Sequence, residues 1–315
     1  MKLVQKFTAS PILILVIGIF AVSTASIFIR FAQQEASSIV IAAYRMTLAG
    51  LMLAPFALPS ALQSIRALSF RQKGLVILAG IFLAIHFATW ITSLEYTTVA
   101  SSVVLVTTTP LWVAILSPLV LKERMRREIW LGLILAMLGG ALVGLQNACL
   151  YQAGQFQCLP FREFIGGQAL WGNALALLGA FTAAGYMLVG RQVRPVLSLI
   201  SYTFWVYSIS AAALLFLIAF SGQLMTGYST KTYLWFALLA LIPQVIGHSS
   251  FNWALKYLPA AFVSLALLGE PVGTTILAVI FLREDPGAME IIGGVMILSG
   301  IFLASRAGFK TADQV

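Results

Sequence analysis

HFATWITSLEYTTVASSVVLVTTTPLWVAILSPLVLKERMRR (residues 86–127) and NWALKYLPAAFVSLALLGEPVGTTILAVIFLREDP (residues 252–286) are divergent versions of one pattern. Sliding the chain against itself by 161 residues aligns 74–143 with 235–304 without a gap. Leu94-Glu95-Tyr96 then meets Leu255-Lys256-Tyr257, Pro110 meets Pro271, and Lys122-Glu123 meets Arg283-Glu284. Gly132 and Gly139 fall on Gly293 and Gly300, and Arg30 falls on Arg191 in the weaker flanking match. Such self-similarity describes a chain built from two copies of one unit.

The environment of that unit follows from its composition. Of 315 residues 60% are apolar and only 9% charged, against about 25% charged in soluble domains. The charges are excluded from ten apolar segments, near 11–31, 39–58, 74–94, 99–120, 128–146, 167–188, 200–220, 233–254, 260–281 and 288–305. Each is close to the ~20 residues that carry a helix across a bilayer. A transmembrane barrel would alternate apolar and polar residues in ~10-residue pieces, and these runs are continuous. The expected fold is therefore an all-α membrane protein of ten transmembrane helices, five to each copy.

Five is odd, so the second copy must enter the membrane from the opposite side. The charges follow: Lys122, Arg124, Arg126 and Arg127 crowd one loop, whereas its counterpart keeps Arg283 and gains Asp285. Glu95 is replaced by Lys256 at the aligned position. With the N-terminus cytoplasmic, fourteen of the 19 basic residues lie on inner segments and only Arg162, Lys231 and Arg283 on outer ones, Arg30 and Arg45 being within helices. This bias predicts a multi-pass protein of the cell (inner) membrane with both termini in the cytoplasm. It also accounts for the net charge of +9 without a nucleic-acid partner. Lys2 and Lys6 before an apolar run resemble a signal peptide, but the run is long and nine more follow, so it reads as the first membrane helix. Cys149 and Cys158, the two cysteines of the chain, fall in the outer loop after the fifth segment. A disulfide suits an oxidising compartment, and two unpaired thiols are the alternative.

The paired passages are similar to the repeats of the EamA family, within the drug/metabolite transporter superfamily. The likeness rests on the mid-helix prolines, on Gly269-Glu270-Pro271, and on the glutamate closing each unit's fourth helix, Glu123 and Glu284. It covers essentially the whole chain. It implies a central cavity walled by both halves and alternating access, with export of amino acids or other metabolites. The outer loop of roughly 20 residues carrying both cysteines departs from that pattern. The expected organisation is a first repeat over 1–146, an extracytoplasmic loop over 147–166, a second repeat over 167–308 and a cytoplasmic tail over 309–315.

Pro110 and Pro271 each remove a backbone donor in mid-span and free the carbonyl four residues earlier, at Val106 and Leu267. Symmetric helix breaks of this kind point to a transporter's binding site. Thr108 and Thr109 flank the first break and Glu270 the second; the alternative is a pair of structural kinks with threonines bonding their own backbones. Glu270 is the carboxylate deepest in the apolar runs, and an ionised acid there costs about 2.5–3.5 kcal/mol. It reads either as a ligand for a substrate amine or coupled proton, or as a protonated acid bonded to a neighbouring helix. Gln244, His248 and Asn252 form a polar stripe at i, i+4 and i+8, and His86 and Trp90 with Thr89 and Ser93 form another. The two stripes fall on repeat-related helices and read as two walls of one cavity, with Tyr186 on helix six beside them; inter-helix hydrogen bonding is the competing reading. Arg45 either snorkels outward or binds a substrate carboxylate. The paired glycines read as close-packing surfaces, within one chain or in a homodimer.

No phosphate-binding Gly-rich loop ending in Gly-Lys-Ser/Thr occurs, so no ATP engine is expected. There is also no HExxH and no Gly-x-Ser-x-Gly. No enzyme activity, metal or cofactor is expected. The partners expected are the lipid bilayer, a small-molecule substrate and a coupled proton. A lipophilic drug or a sugar as substrate, a channel, or a membrane protein without transport are the alternatives.

Overall fold

The structure, a computed structural model, describes residues 10–97, 99–123, 126–152, 155–158, 167–277, 280 and 287–308. Its helices are α1 (Pro11–Ala32), α2 (Ser38–Ala67), α3 (Phe70–Tyr96), α4 in two pieces (Val99–Val106 and Thr109–Val120) and α5 (Arg127–Ala148). A β-hairpin of β1 (Cys149–Gln152) and β2 (Gln155–Cys158) follows. Then come α6 (Gly167–Val193), α7 (Leu199–Ser221), α8 (Thr230–Ala254), α9 in two pieces (Ala260–Ala266 and Gly269–Leu277) and α10 (Ala288–Gly308). Among the described residues, seven of these (α1, α2, α3, α6, α7, α8 and α9) are long and apolar enough to cross a membrane. Helices dominate because hydrocarbon offers backbone groups no partner outside the segment itself.

Polar caps set the helix starts. Ser69 and Gln72 close a reciprocal capping box at α3, and Ser198 and Ser229 accept the Ser201 and Thr232 amides at α7 and α8. α7 ends at Gly222, whose φ of +67° is left-handed and open to glycine. α2 runs nine residues beyond the apolar stretch that ends at residue 58, because Ser60–Ala67 continues as a helix with Arg66 in its last turn. α1, read as one helix, is interrupted at Thr24.

Packing pairs helices of the first half with helices of the second: α1 with α8, α2 with α7, α3 with α6, and α5 with α10, while α4 packs chiefly on α6 and also touches α9. α5 and α10 run antiparallel, touching backbone to backbone at two points. A Cβ on Gly132 would lie 2.5 Å from the Gly300 carbonyl oxygen, and one on Gly139 would lie 2.5 Å from that of Gly293. The reverse substitutions meet the same obstruction. Small residues permit this approach, and dispersion then holds helices that lipid cannot drive together.

The two faces of the bundle are tied differently. Where α4, α6 and α8 end, Arg191 Nε donates to Glu123 Oε1 at 2.8 Å and Nη1 donates to the Leu255 and Lys256 carbonyls at 2.8 and 3.1 Å. At the opposite face Glu35 Oε2 accepts from the Ser229 amide at 2.8 Å and the Thr232 hydroxyl at 2.9 Å. The Ser229 amide and hydroxyl, with Thr232, hold the Glu35 carboxyl below the usual carboxylate range. Arg30, the repeat mate of Arg191, is exposed. The hairpin sets Cys149 opposite Cys158 in backbone register; their side chains, and with them the disulfide, lie outside what is described.

Candidate substrate cavity

The two prolines do what their chemistry requires. α4 breaks at Thr107-Thr108 and α9 at Leu267-Leu268. The Val106 carbonyl orphaned by Pro110 accepts from Thr109 Oγ1 at 2.8 Å. The Leu267 carbonyl orphaned by Pro271 accepts from the Glu270 amide at 2.9 Å, in a tightened turn. Each break is therefore satisfied locally, as membrane depth demands.

Between the breaks lies one cavity of about 90 Å³. One water needs only ~10–15 Å³ on this measure, so the space holds several waters or a small solute. Its walls come from both halves: His86 and Trp90 on α3, Thr107, Thr109 and Pro110 on α4, Tyr186 on α6, His248 and Asn252 on α8, Glu270 on α9, with Arg45 on α2. Val22 and Ala25 of α1, with Leu267 and Leu268, add apolar surface. Glu270 is anchored through its backbone, whose carbonyl accepts from Ser23 Oγ at 3.1 Å.

The polar walls are held in place by their surroundings. His86 Nδ1 lies 2.9 Å from the Gly179 carbonyl, and since a carbonyl can only accept, Nδ1 carries the proton. The imidazole stacks on Trp90 at 5.8 Å and 13°. His248 meets Phe87 edge-on at 5.4 Å. Asn252 Nδ2 donates to the Tyr186 hydroxyl, which joins α8 to α6 across the cavity wall.

Seven of the nine substrate-binding residues expected from sequence thus share this cavity: His86, Trp90, Thr109, Tyr186, His248, Asn252 and Glu270. Thr108 stands apart, its hydroxyl bonded to the Leu105 carbonyl at 2.6 Å. Gln244 is also displaced: it is fully buried behind the cavity, where its Oε1 accepts from Arg45 Nε at 2.8 Å. The reason lies in α8, whose Ala240–His248 portion is a π-helix around Pro243. Its wider turn shifts the phase on which a common face for Gln244, His248 and Asn252 depends. Pro271 is half-buried outside the cavity lining, which Glu270 reaches instead. Arg45 does not snorkel, being 1% exposed.

The EamA-like transporter family model matches the chain twice, over residues 9–145 and 170–306. The chain belongs to the EamA-like transporter family. The two EamA matches begin 161 residues apart, the offset at which the sequence aligns with itself. Among related proteins, the uncharacterized transporter YdfC of Bacillus subtilis is 25% identical over 264 residues, covering 83% of this chain and 79% of its own. An uncharacterized transporter of Archaeoglobus fulgidus is 24% identical, covering 93% of this chain and 95% of its own. A solved crystal structure shares the fold, with a TM-score of 0.76 and 16% identity over 96% of this chain and 98% of that one. This EamA protein is thus a multi-pass membrane transporter of the drug/metabolite type, and the naming of its relatives as transporters agrees with a non-enzymatic role.

Proposed function

We propose that the chain is a secondary transporter or facilitator that exports a small metabolite, an amino acid or a related compound, by alternating access. The observation that carries this reading is the single cavity at the two proline breaks, lined by helices of both halves. A cavity in that place has a wall on each of two bodies, so a rocking motion of one against the other can open it first to one face and then to the other.

The same reading takes the chain as ten membrane helices in two inverted five-helix repeats, 1–146 and 167–308, with 147–166 outside and 309–315 in the cytoplasm. Replacing each glycine of the Gly132–Gly300 contact by its mate 161 residues away yields the Gly293–Gly139 contact, which is also present. That reciprocity is what a two-fold axis between the halves produces. The charge bias orients both termini to the cytoplasm of an inner membrane. Glu270 is the coupling acid, being the carboxylate of the cavity lining.

Counterflow in proteoliposomes tests the function: the purified protein, loaded with an unlabelled amino acid, accumulates the labelled one transiently and saturably. Flux that neither saturates nor exchanges indicates a channel. No flux across a broad panel of metabolites overturns the transport reading.

A further inference from the structure

We propose that Arg45 forms a carboxylate subsite in the cavity and sets the specificity of transport for solutes bearing that group. The inference rests on the transport reading and adds to it a recognised functional group and the residue that recognises it.

An arginine in the membrane interior costs about 2.5–3.5 kcal/mol on insertion scales, so its retention requires compensation by partners. A guanidinium carries five N–H donors. Buried Arg194 and half-buried Arg191 show how this fold compensates a structural arginine. Arg194, 2% exposed, donates Nε to the Asn252 carbonyl at 2.9 Å and Nη1 to that of Leu197. Arg191 donates Nε to Glu123 and Nη1 to two carbonyls. Arg45 is treated otherwise. Its Nε bonds Gln244 Oε1 at 2.8 Å and its guanidinium carbon lies 4.1 Å from the centre of the Phe87 ring, but Nη1 is buried without a partner.

Those two contacts do not satisfy the fork; they fix it. Gln244, fully buried, holds the Nε side, and Phe87 supports the flat face. The side chain lines the cavity at the same time. A planar, immobilised guanidinium with unfilled donors, bordering a small and largely apolar cavity, matches a carboxylate, which accepts two parallel N–H bonds. Glu270 faces the same cavity, yet no ion pair joins it to Arg45 within 4.0 Å among the described residues. Arg45 and Glu270 are thus held apart in one space, leaving the guanidinium free to receive the carboxylate of a solute.

The test is competition in proteoliposomes. Labelled leucine, threonine and phenylalanine are screened for counterflow, and the solute with the largest flux is challenged by its free acid, its primary amide and its decarboxylated amine. In the wild type the amide and amine compete about tenfold or more weakly than the acid, as expected when a hydrogen bond to a charged group is lost. In Arg45→Gln the acid falls to the level of the amide, and Arg45→Lys, which keeps charge without the fork, lies between. Equal competition by acid and amide in the wild type overturns the inference while leaving transport intact, and that comparison needs no variant. So does an Arg45→Gln protein, monodisperse in detergent, that keeps the wild-type preference. Absence of counterflow for all three solutes, with flux of an uncharged one, removes this inference and the amino-acid substrate while leaving transport; absence of any flux removes the transport reading with it.

Discussion

Gly139 and Gly140 are consecutive on α5, yet replacing each with alanine should have opposite consequences. A Cβ at Gly139 would stand 2.5 Å from the Gly293 carbonyl oxygen and 2.9 Å from both the Ile297 amide nitrogen and the Met296 Cβ, so backbone itself must move. A Cβ at Gly140 meets nothing within 4 Å. Both variants gain the helix preference of alanine over glycine, about 1 kcal/mol. Only Gly139→Ala incurs overpacking, typically about 1–3 kcal/mol. The propensity gain cancels in the comparison, so Gly139→Ala should be less stable than Gly140→Ala by about 1–3 kcal/mol. Reversible denaturation in mixed micelles, followed by circular dichroism, measures the difference. Gly300→Ala, the repeat mate, should lose as much as Gly139→Ala to within about 0.5 kcal/mol. A Gly139→Ala protein as stable as Gly140→Ala would refute the close backbone contact and the reciprocity drawn from it.

Arg191→Gln and Glu123→Gln should each destabilise the chain, and the double variant should cost no more than the larger single one by over about 0.5 kcal/mol, since both act on one junction; full additivity in a double-mutant cycle would contradict this. Glu270→Gln should abolish the response of uptake to an imposed pH gradient, whatever counterflow it retains. Persistence of the gradient response in that variant would remove the coupling role. Cys149 and Cys158, opposite each other in the hairpin backbone, should resist maleimide until reductant is added; labelling of two thiols beforehand would exclude the disulfide.

What the sequence disclosed was whatever depends on composition and repetition. Continuous apolar runs decide membrane helices, and proline chemistry alone places the breaks in α4 and α9 near Pro110 and Pro271. The walls carrying His86 and His248 followed from an alignment offset: α3 and α8 align in the self-match, and both border the cavity. Phase and environment were harder to read. Gln244 leaves the cavity because Ala240–His248 is wound as a π-helix, and Pro243 was the available sign of it. Whether Arg45 snorkels depends on what holds its guanidinium, namely Gln244 and Phe87 from other helices, and no local pattern contains that. Glu123 read as a helix-end marker; its bond to Arg191 became visible only once α4 and α6 were seen to end side by side.

Access to the cavity from both membrane faces tests the account most directly. Ala183 lines it from α6, and Ala183→Cys, combined with Cys149→Ser and Cys158→Ser, supplies one reporter thiol. In oriented vesicles a membrane-impermeant thiol reagent is applied to one face at a time. Alternating access predicts modification from either face, slowed by a transported solute. Modification confined to one face under every condition, or none from either, would contradict it.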